Sequence, residues 1–186
     1  TRCWTEAVIG PSQARFRLWL EKKYGTIEAV NEAWHRTFKS FSEVEPPRFG
    51  TILTYTDYLD WQEFITDKLA EDLALKTQTI RKVLPETVIT SHSAIPGLFS
   101  QPSWDGTPDD RKMNNSVDYY GVSIYPKHAG ALRPWSPYFR AAGLDFVRSM
   151  AWKNEGFYVG ELQAGYGVFG LKVSLPVTAD DLRDWM

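Results

Sequence analysis

The 186-residue chain contains a single cysteine, Cys3, so it has neither an internal disulfide nor a cysteine cluster for zinc, and its redox compartment is left open. Charge of one sign is also scarce. Its 21 basic and 23 acidic residues leave a net charge of -2, which offers no large field for nucleic acid or an anionic membrane. No stretch approaches the ~20 apolar residues of a membrane-spanning helix, and the first residues lack the charged-then-apolar pattern of a signal peptide. Neither nucleic acid nor membrane is therefore an expected partner. Internal repeats and low-complexity linkers are missing too. Aromatic residues, by contrast, are abundant: 8 Trp, 9 Tyr and 10 Phe make up 15% of the chain. Such rings fill cores, and their faces also suit the flat C–H faces of sugars.

Helical and strand-like segments alternate along the chain. Residues 11–24 open with Gly10-Pro11-Ser12, carry Phe16, Trp19, Leu20 and Tyr24 on one face, and stop at Gly25, which predicts a helix with a glycine cap. A short helix is expected from Thr26 to about Trp34. Residues 36–56, with Pro46-Pro47, read as a long irregular loop. From Thr56 to Pro85, the stripe Trp61, Ile65, Leu69, Leu73, Ile80 and Leu84 predicts a long amphipathic helix. Three strands are expected at 87–92, 117–125 and 157–161. A helix around 138–151 separates the second and third, and a last helix begins at Thr178 with Asp181 three residues on, a capping-box pattern. Strands alternating with helices imply a parallel α/β sheet with helical crossovers. Three strands cannot close an eight-stranded barrel, so the chain is expected to be an internal piece of a larger enzyme, with exposed sheet edges that make it poorly stable alone.

The most informative stretch is Phe157-Tyr158-Val159-Gly160-Glu161-Leu162-Gln163-Ala164-Gly165, an apolar run that ends on a carboxylate and then loosens into glycine and aromatics. In barrels of alternating strands and helices the chemistry sits where such strands finish. The bland alternative for Glu161 is a solvated loop carboxylate after a core strand. The three strand ends together offer Ser91-His92-Ser93, Tyr125-Pro126-Lys127-His128, and Glu161 with Gln163. A carboxylate with hydrogen-bond donors and aromatic walls suits glycoside hydrolysis. His92 and His128 taken singly are more simply structural, and gain weight only as members of this rim. A Schiff-base role for Lys127 would require burial in an apolar pocket.

The segment Phe16-Arg-Leu-Trp-Leu-Glu-Lys-Lys-Tyr-Gly-Thr-Ile-Glu-Ala-Val-Asn-Glu-Ala-Trp34, with Thr37-Phe38 following, resembles the part of glycoside hydrolase family 42, the β-galactosidases, that follows the acid/base strand. Val117-Asp-Tyr-Tyr-Gly-Val-Ser-Ile-Tyr-Pro126 and Tyr158-Val-Gly-Glu-Leu-Gln-Ala-Gly165 resemble the sixth and seventh barrel strands of that family. The resemblance implies an incomplete (β/α)₈ TIM barrel, with residues 1–186 as the C-terminal half of a catalytic domain that lacks the first strands and the last. It also implies a retaining hydrolase acting on terminal β-galactosides or related β-glycosides, a carbohydrate substrate, and no cofactor. A homo-oligomer of the intact protein is left open.

Carried over by resemblance, Glu161 matches the nucleophile and Phe169 an aromatic wall of the sugar subsite. Trp34 matches a tryptophan with plain packing as its alternative, and Tyr125, His92, His128 and Gln163 are taken as further sugar contacts. Lys39 stands where relatives place a sugar-stacking tryptophan, which leaves the sugar open. The family's cysteine-rich zinc motif is replaced by Ala7-Val-Ile-Gly-Pro-Ser-Gln-Ala14, so no metal is implied. The general acid/base, the Glu of an Asn-Glu pair, is expected before Thr1, with Glu6 as the candidate inside the chain. Asn154-Glu155 lies at the wrong end of its strand and reads as a turn. The alternatives are a noncatalytic carbohydrate-binding barrel domain, or a retaining glycosidase of a neighbouring family with another sugar. The isolated chain is expected to be inactive.

Overall fold

The computed structural model describes residues 6–46, 55–93, 108–127, 135–151, 156–165, 167–168, 171–172 and 175–186. The chain divides into two compact units, residues 1–68 and 69–186. Among the described residues no helix is long and apolar enough to cross a membrane.

The first unit is helical. Helix α1 spans Glu6–Tyr24 and contains Pro11, so it begins a turn earlier than the sequence predicts. Gly25 then takes the left-handed conformation, φ 78°, with its N–H on the Glu21 carbonyl, as a glycine cap requires. Helix α2, Ile27–Trp34, starts from Thr26, whose hydroxyl accepts from the Ala29 N–H, and ends on a left-handed His35. Asn31 then ties down the following turn, its amide donating to the Phe38 carbonyl and accepting from the Phe38 N–H at 2.8 Å each. In place of a wholly irregular loop, residues Phe41–Glu43 form a 3₁₀ turn. The core of this unit is Phe16, Leu20, Val30, Trp34, Val44 and Phe64, with the edge of Phe16 against Trp61 at 5.1 Å between centroids.

The second unit is built on three parallel strands, β1 (Thr90–Ser93), β2 (Tyr119–Ile124) and β3 (Phe157–Leu162), in the order β1-β2-β3. Helix α3, Thr56–Val83, gives its second half to this unit. Its expected apolar stripe fades there, since Ile80 and the following Leu84 are 42% and 57% exposed. A helix the sequence did not announce, α4 (Asp110–Asn114), precedes β2, and α5 (Pro137–Met150) joins β2 to β3. Beyond β3 lie an antiparallel pair, β4 (Gly167–Val168) and β5 (Leu171–Lys172), and helix α6 (Ala179–Trp185), which carries the expected Thr178/Asp181 capping box.

One face of the sheet makes the core. Tyr120, Val122 and Ile124 of β2 pack with Ile89, Val117 and Val147, and Phe157, Leu162, Leu144 and Phe146 close round them. Because strand side chains alternate, this leaves the opposite face of β2 with Tyr119, Gly121 and Ser123. Residues 87–89 do not join β1. The Asp118 carboxylate takes the Ile89 N–H at 2.8 Å and the Asp118 N–H goes to the Ile89 carbonyl at 2.9 Å. That backbone hydrogen bond, helped by Arg81, holds the Asp118 carboxyl below the usual carboxylate range.

Candidate active site

Strand register decides where Glu161 points. Tyr120 pairs with Phe157, Gly121 with Tyr158 and Val122 with Val159, but Ser123 pairs with Glu161, so Gly160 is an extra residue in β3. Strict alternation from Tyr158 would send Glu161 to the core face beside Phe157 and Val159. The bulge at Gly160 turns it to the other face, beside Ser123, which is the re-aiming that β-bulges supply next to active sites. Glu161 is 56% exposed there.

Two glycines shape the floor of this face. A Cβ on Gly121 would collide with the Tyr158 carbonyl and lie 2.8 Å from its ring. A Cβ on Gly160 would lie 2.6 Å from Cγ of His92. His92 pairs with Gly121 in register, but the space over Gly121 is taken by Tyr158, and the His92 imidazole lies instead against Gly160 of β3. Its Nε2 stands 3.9 Å from Oε1 of Glu161, and its ring meets Tyr158 edge-on at 6.1 Å. The hydroxyl of Ser123 is buried and has no hydrogen-bond partner among the described residues. Such a group beside an exposed carboxylate is available to a ligand or a water.

The structure thus brings His92 and Glu161 together and adds Gly121, Ser123, Tyr158 and Gly160, which sequence reasoning missed. Tyr125 directly follows β2 and is half-buried. Gln163 is only 3% exposed. Its amide accepts from the Lys127 N–H at 2.8 Å and donates to the Gly165 carbonyl at 2.9 Å. Its backbone N–H meets the Ile124 carbonyl at 3.0 Å. These bonds lock the ends of β2 and β3 together, a positioning task in place of the direct sugar contact expected of it. Trp34 is 2% exposed and gives its indole N–H to Asp60 at 2.7 Å, surroundings that fit the packing alternative. Glu6 is the first residue of α1, and residues 1–5 before it lie outside the described residues. His128, Phe169 and Asn154-Glu155 lie outside the described residues.

Lys127 is an ion-pairing residue. Its ammonium bonds Oδ2 of Asp181 at 2.5 Å and the Pro176 carbonyl at 3.1 Å, while the Leu175 N–H meets its carbonyl at 3.0 Å. The loop after β2 therefore anchors the start of α6, and a Schiff-base role has no support in these contacts. The Lys127 hydrogen bond, with that of the Thr178 N–H, lowers the Asp181 carboxyl from 3.8 to about 2. A depressed carboxyl stabilises the fold above the unfolded value and stops doing so as pH falls through the folded one. The α6 tether is accordingly expected to weaken between about pH 4 and pH 2, seen as faster amide exchange over residues 175–186. Lys127→Met should move the Asp181 titration back up, measured by carboxyl NMR; an unmoved titration would break the assignment.

In comparison with known proteins, the chain is 37% identical over 131 residues to a beta-galactosidase of Thermus thermophilus, covering 67% of this chain and 19% of that protein. It is 23% identical over 182 residues to a beta-galactosidase of Geobacillus kaustophilus, covering 75% of this chain and 27% of that one. Its fold matches the crystal structure of a beta-galactosidase from the psychrophilic Marinomonas ef1 with a TM-score of 0.72 at 23% identity, over 94% of this chain and 28% of the other. The chain spans about a quarter or less of the length of these relatives, so its three parallel strands with crossover helices are part of a TIM-barrel fold. The model of the beta-galactosidase family, glycoside hydrolase family 42, matches residues 3–178, and the chain belongs to that family.

Proposed function

We propose that the intact protein is a retaining glycosidase that releases terminal β-galactose or a related β-linked sugar, with Glu161 as its nucleophile. One observation carries this: in a chain of the beta-galactosidase family, the Gly160 bulge sets the one carboxylate at the end of β3 on the polar, glycine-floored face of the sheet. A carboxylate in that place attacks the anomeric carbon while the glycosidic C–O bond breaks and a second carboxylic acid gives its proton to the departing oxygen. The same second group then takes a proton from water, which attacks the anomeric carbon and frees Glu161, so two inversions leave the configuration retained. That second carboxyl is assigned to a position before Thr1. Residues 1–186 are the C-terminal half of the barrel, and the sugar would lie against Tyr125, His128 and Phe169.

Labelling tests this reading. A 2-deoxy-2-fluoro β-galactoside with a good leaving group, incubated with the intact protein, is expected to leave its sugar on the peptide holding Glu161, seen by peptide mass spectrometry. A label on any other residue removes Glu161 as nucleophile.

A further inference from the structure

We propose that His92 is the positioning residue of Glu161, held in a notch that Gly160 leaves open in β3; this rests on the reading of Glu161 as nucleophile. His92 and Glu161 lie on β1 and β3, with β2 between them. They meet where β3 bulges, because the extra residue there is a glycine whose bare position the imidazole occupies.

Gly160 is required for space and not for backbone conformation. Among the described glycines only Gly25 has a positive φ, so an alanine at 160 meets no strain of its own. It would instead meet the imidazole, since the three nearest atoms to its Cβ are Cγ, Nδ1 and Cδ2 of His92, at 2.6, 2.7 and 3.0 Å. These atoms lie close to the His92 backbone, where a small rotation cannot clear them. With Tyr158 on its flank, the ring is confined.

The carboxylate is the freer partner, with 56% of its side chain exposed against 32% for His92. The separation of 3.9 Å between Nε2 and Oε1 is wider than a direct hydrogen bond. A turn of the glutamate side chain as the sugar enters closes it, in keeping with catalytic contacts that tighten once substrate is bound. A fixed donor then aims the attacking oxygen at the anomeric carbon.

This role differs in its kinetics from a sugar contact. In the intact enzyme, His92→Ala and His92→Phe should lower kcat by roughly 10- to 100-fold, the usual consequence of a misplaced reacting group, and leave KM nearly unchanged, as for an interaction made in the transition state. His92→Phe keeps a ring in the notch without a nitrogen, so it separates positioning from packing and serves even where His92→Ala folds poorly. His92→Gln, whose amide nitrogen reaches the place of Nε2, should recover most of kcat. Gly160→Ala should match the loss of His92→Ala, and the two together should cost no more than either, because the alanine acts by displacing the imidazole. A raised KM with unchanged kcat, full kcat in His92→Phe, or losses that multiply in the double variant would overturn the proposal. Fluorosugar labelling of the unmodified enzyme keeps the two levels apart. A label away from Glu161 overturns the nucleophile and this proposal together, whereas a label on Glu161 with full kcat in His92→Phe overturns this proposal alone.

Discussion

In the intact protein, Glu161→Gly is expected to lower kcat for a β-galactoside by roughly 10⁴- to 10⁶-fold, the scale of losing a nucleophile that works together with a second group. The loss should not come from unfolding. Glu161 is exposed and lies off the core face of β3, with the His92 imidazole 3.9 Å away. Melting temperature should therefore stay close to that of the unmodified protein, as surface substitutions generally leave it. Removing the side chain also opens a space on the side from which the carboxylate attacked. A small anion such as azide can enter it, displace an aryloxide from the anomeric carbon in a single step and give the glycosyl azide of inverted configuration, with no need of a proton for so good a leaving group. Rescue by azide with inversion, read by NMR of the product, is the expected result. A variant that keeps a tenth of the original activity, or an azide product of retained configuration, would place the nucleophile elsewhere.

Much of the frame behind that expectation was legible, because helix caps and apolar runs are local signals. Thr26, Gly25 and the Thr178/Asp181 pair announced helix ends that the structure has, and the apolar stretch before Glu161 announced β3. What escaped was set between strands. The bulge at Gly160 is a matter of register with β2, and no pattern within β3 itself reveals that Glu161 changes faces there. The His92 contact depends on a bare position at Gly160, a residue of another strand that is unremarked in its own context. Gln163 looked like a rim group because polar residues after a strand often are, yet its backbone hydrogen bonds consume the amide. The motif that carries the family resemblance, Phe16 to Trp34, has a different lesson. Phe16, Leu20, Val30 and Trp34 are buried in the first unit, Tyr24 bonds Asp60, and Asn31 clamps Phe38. Its specificity reflects a demanding packing and hydrogen-bonding arrangement, so a recognisable motif was here a guide to the family more than to the residues that touch substrate.

The second large effect follows from that arrangement and concerns stability. Asp60, 3% exposed on α3, accepts from the Lys23 ammonium, the Tyr24 hydroxyl and the Trp34 indole N–H, each at 2.7 Å. Burial opposes the Lys23 charge, but the hydrogen bonds and charges of Asp60 and Glu63 outweigh it and raise the group to about 12. Burial, together with the Asp60 hydrogen bond and charge, pushes the Tyr24 phenol up to about 12 as well. Asp60→Ala removes the acceptor shared by all three donors, and the indole N–H of Trp34, itself 2% exposed, is left without water to replace it. Lys23 keeps Glu63 at 2.6 Å and is partly exposed, so its share of the cost is small. The orphaned phenol and indole, with the cavity, set the magnitude at about 3 kcal/mol. Asp60→Asn should cost about half as much, since one oxygen can still accept from Tyr24 and Trp34 while its amide faces the ammonium. Leu59→Ala, one residue away but 62% exposed, should change stability by less than about 0.5 kcal/mol. Urea unfolding followed by near-ultraviolet circular dichroism, which reports the packed tryptophans of this unit, orders the three variants. If Asp60→Ala proves no more costly than Leu59→Ala, the carboxylate is not the centre of this network and the shape of the motif must rest on apolar packing alone.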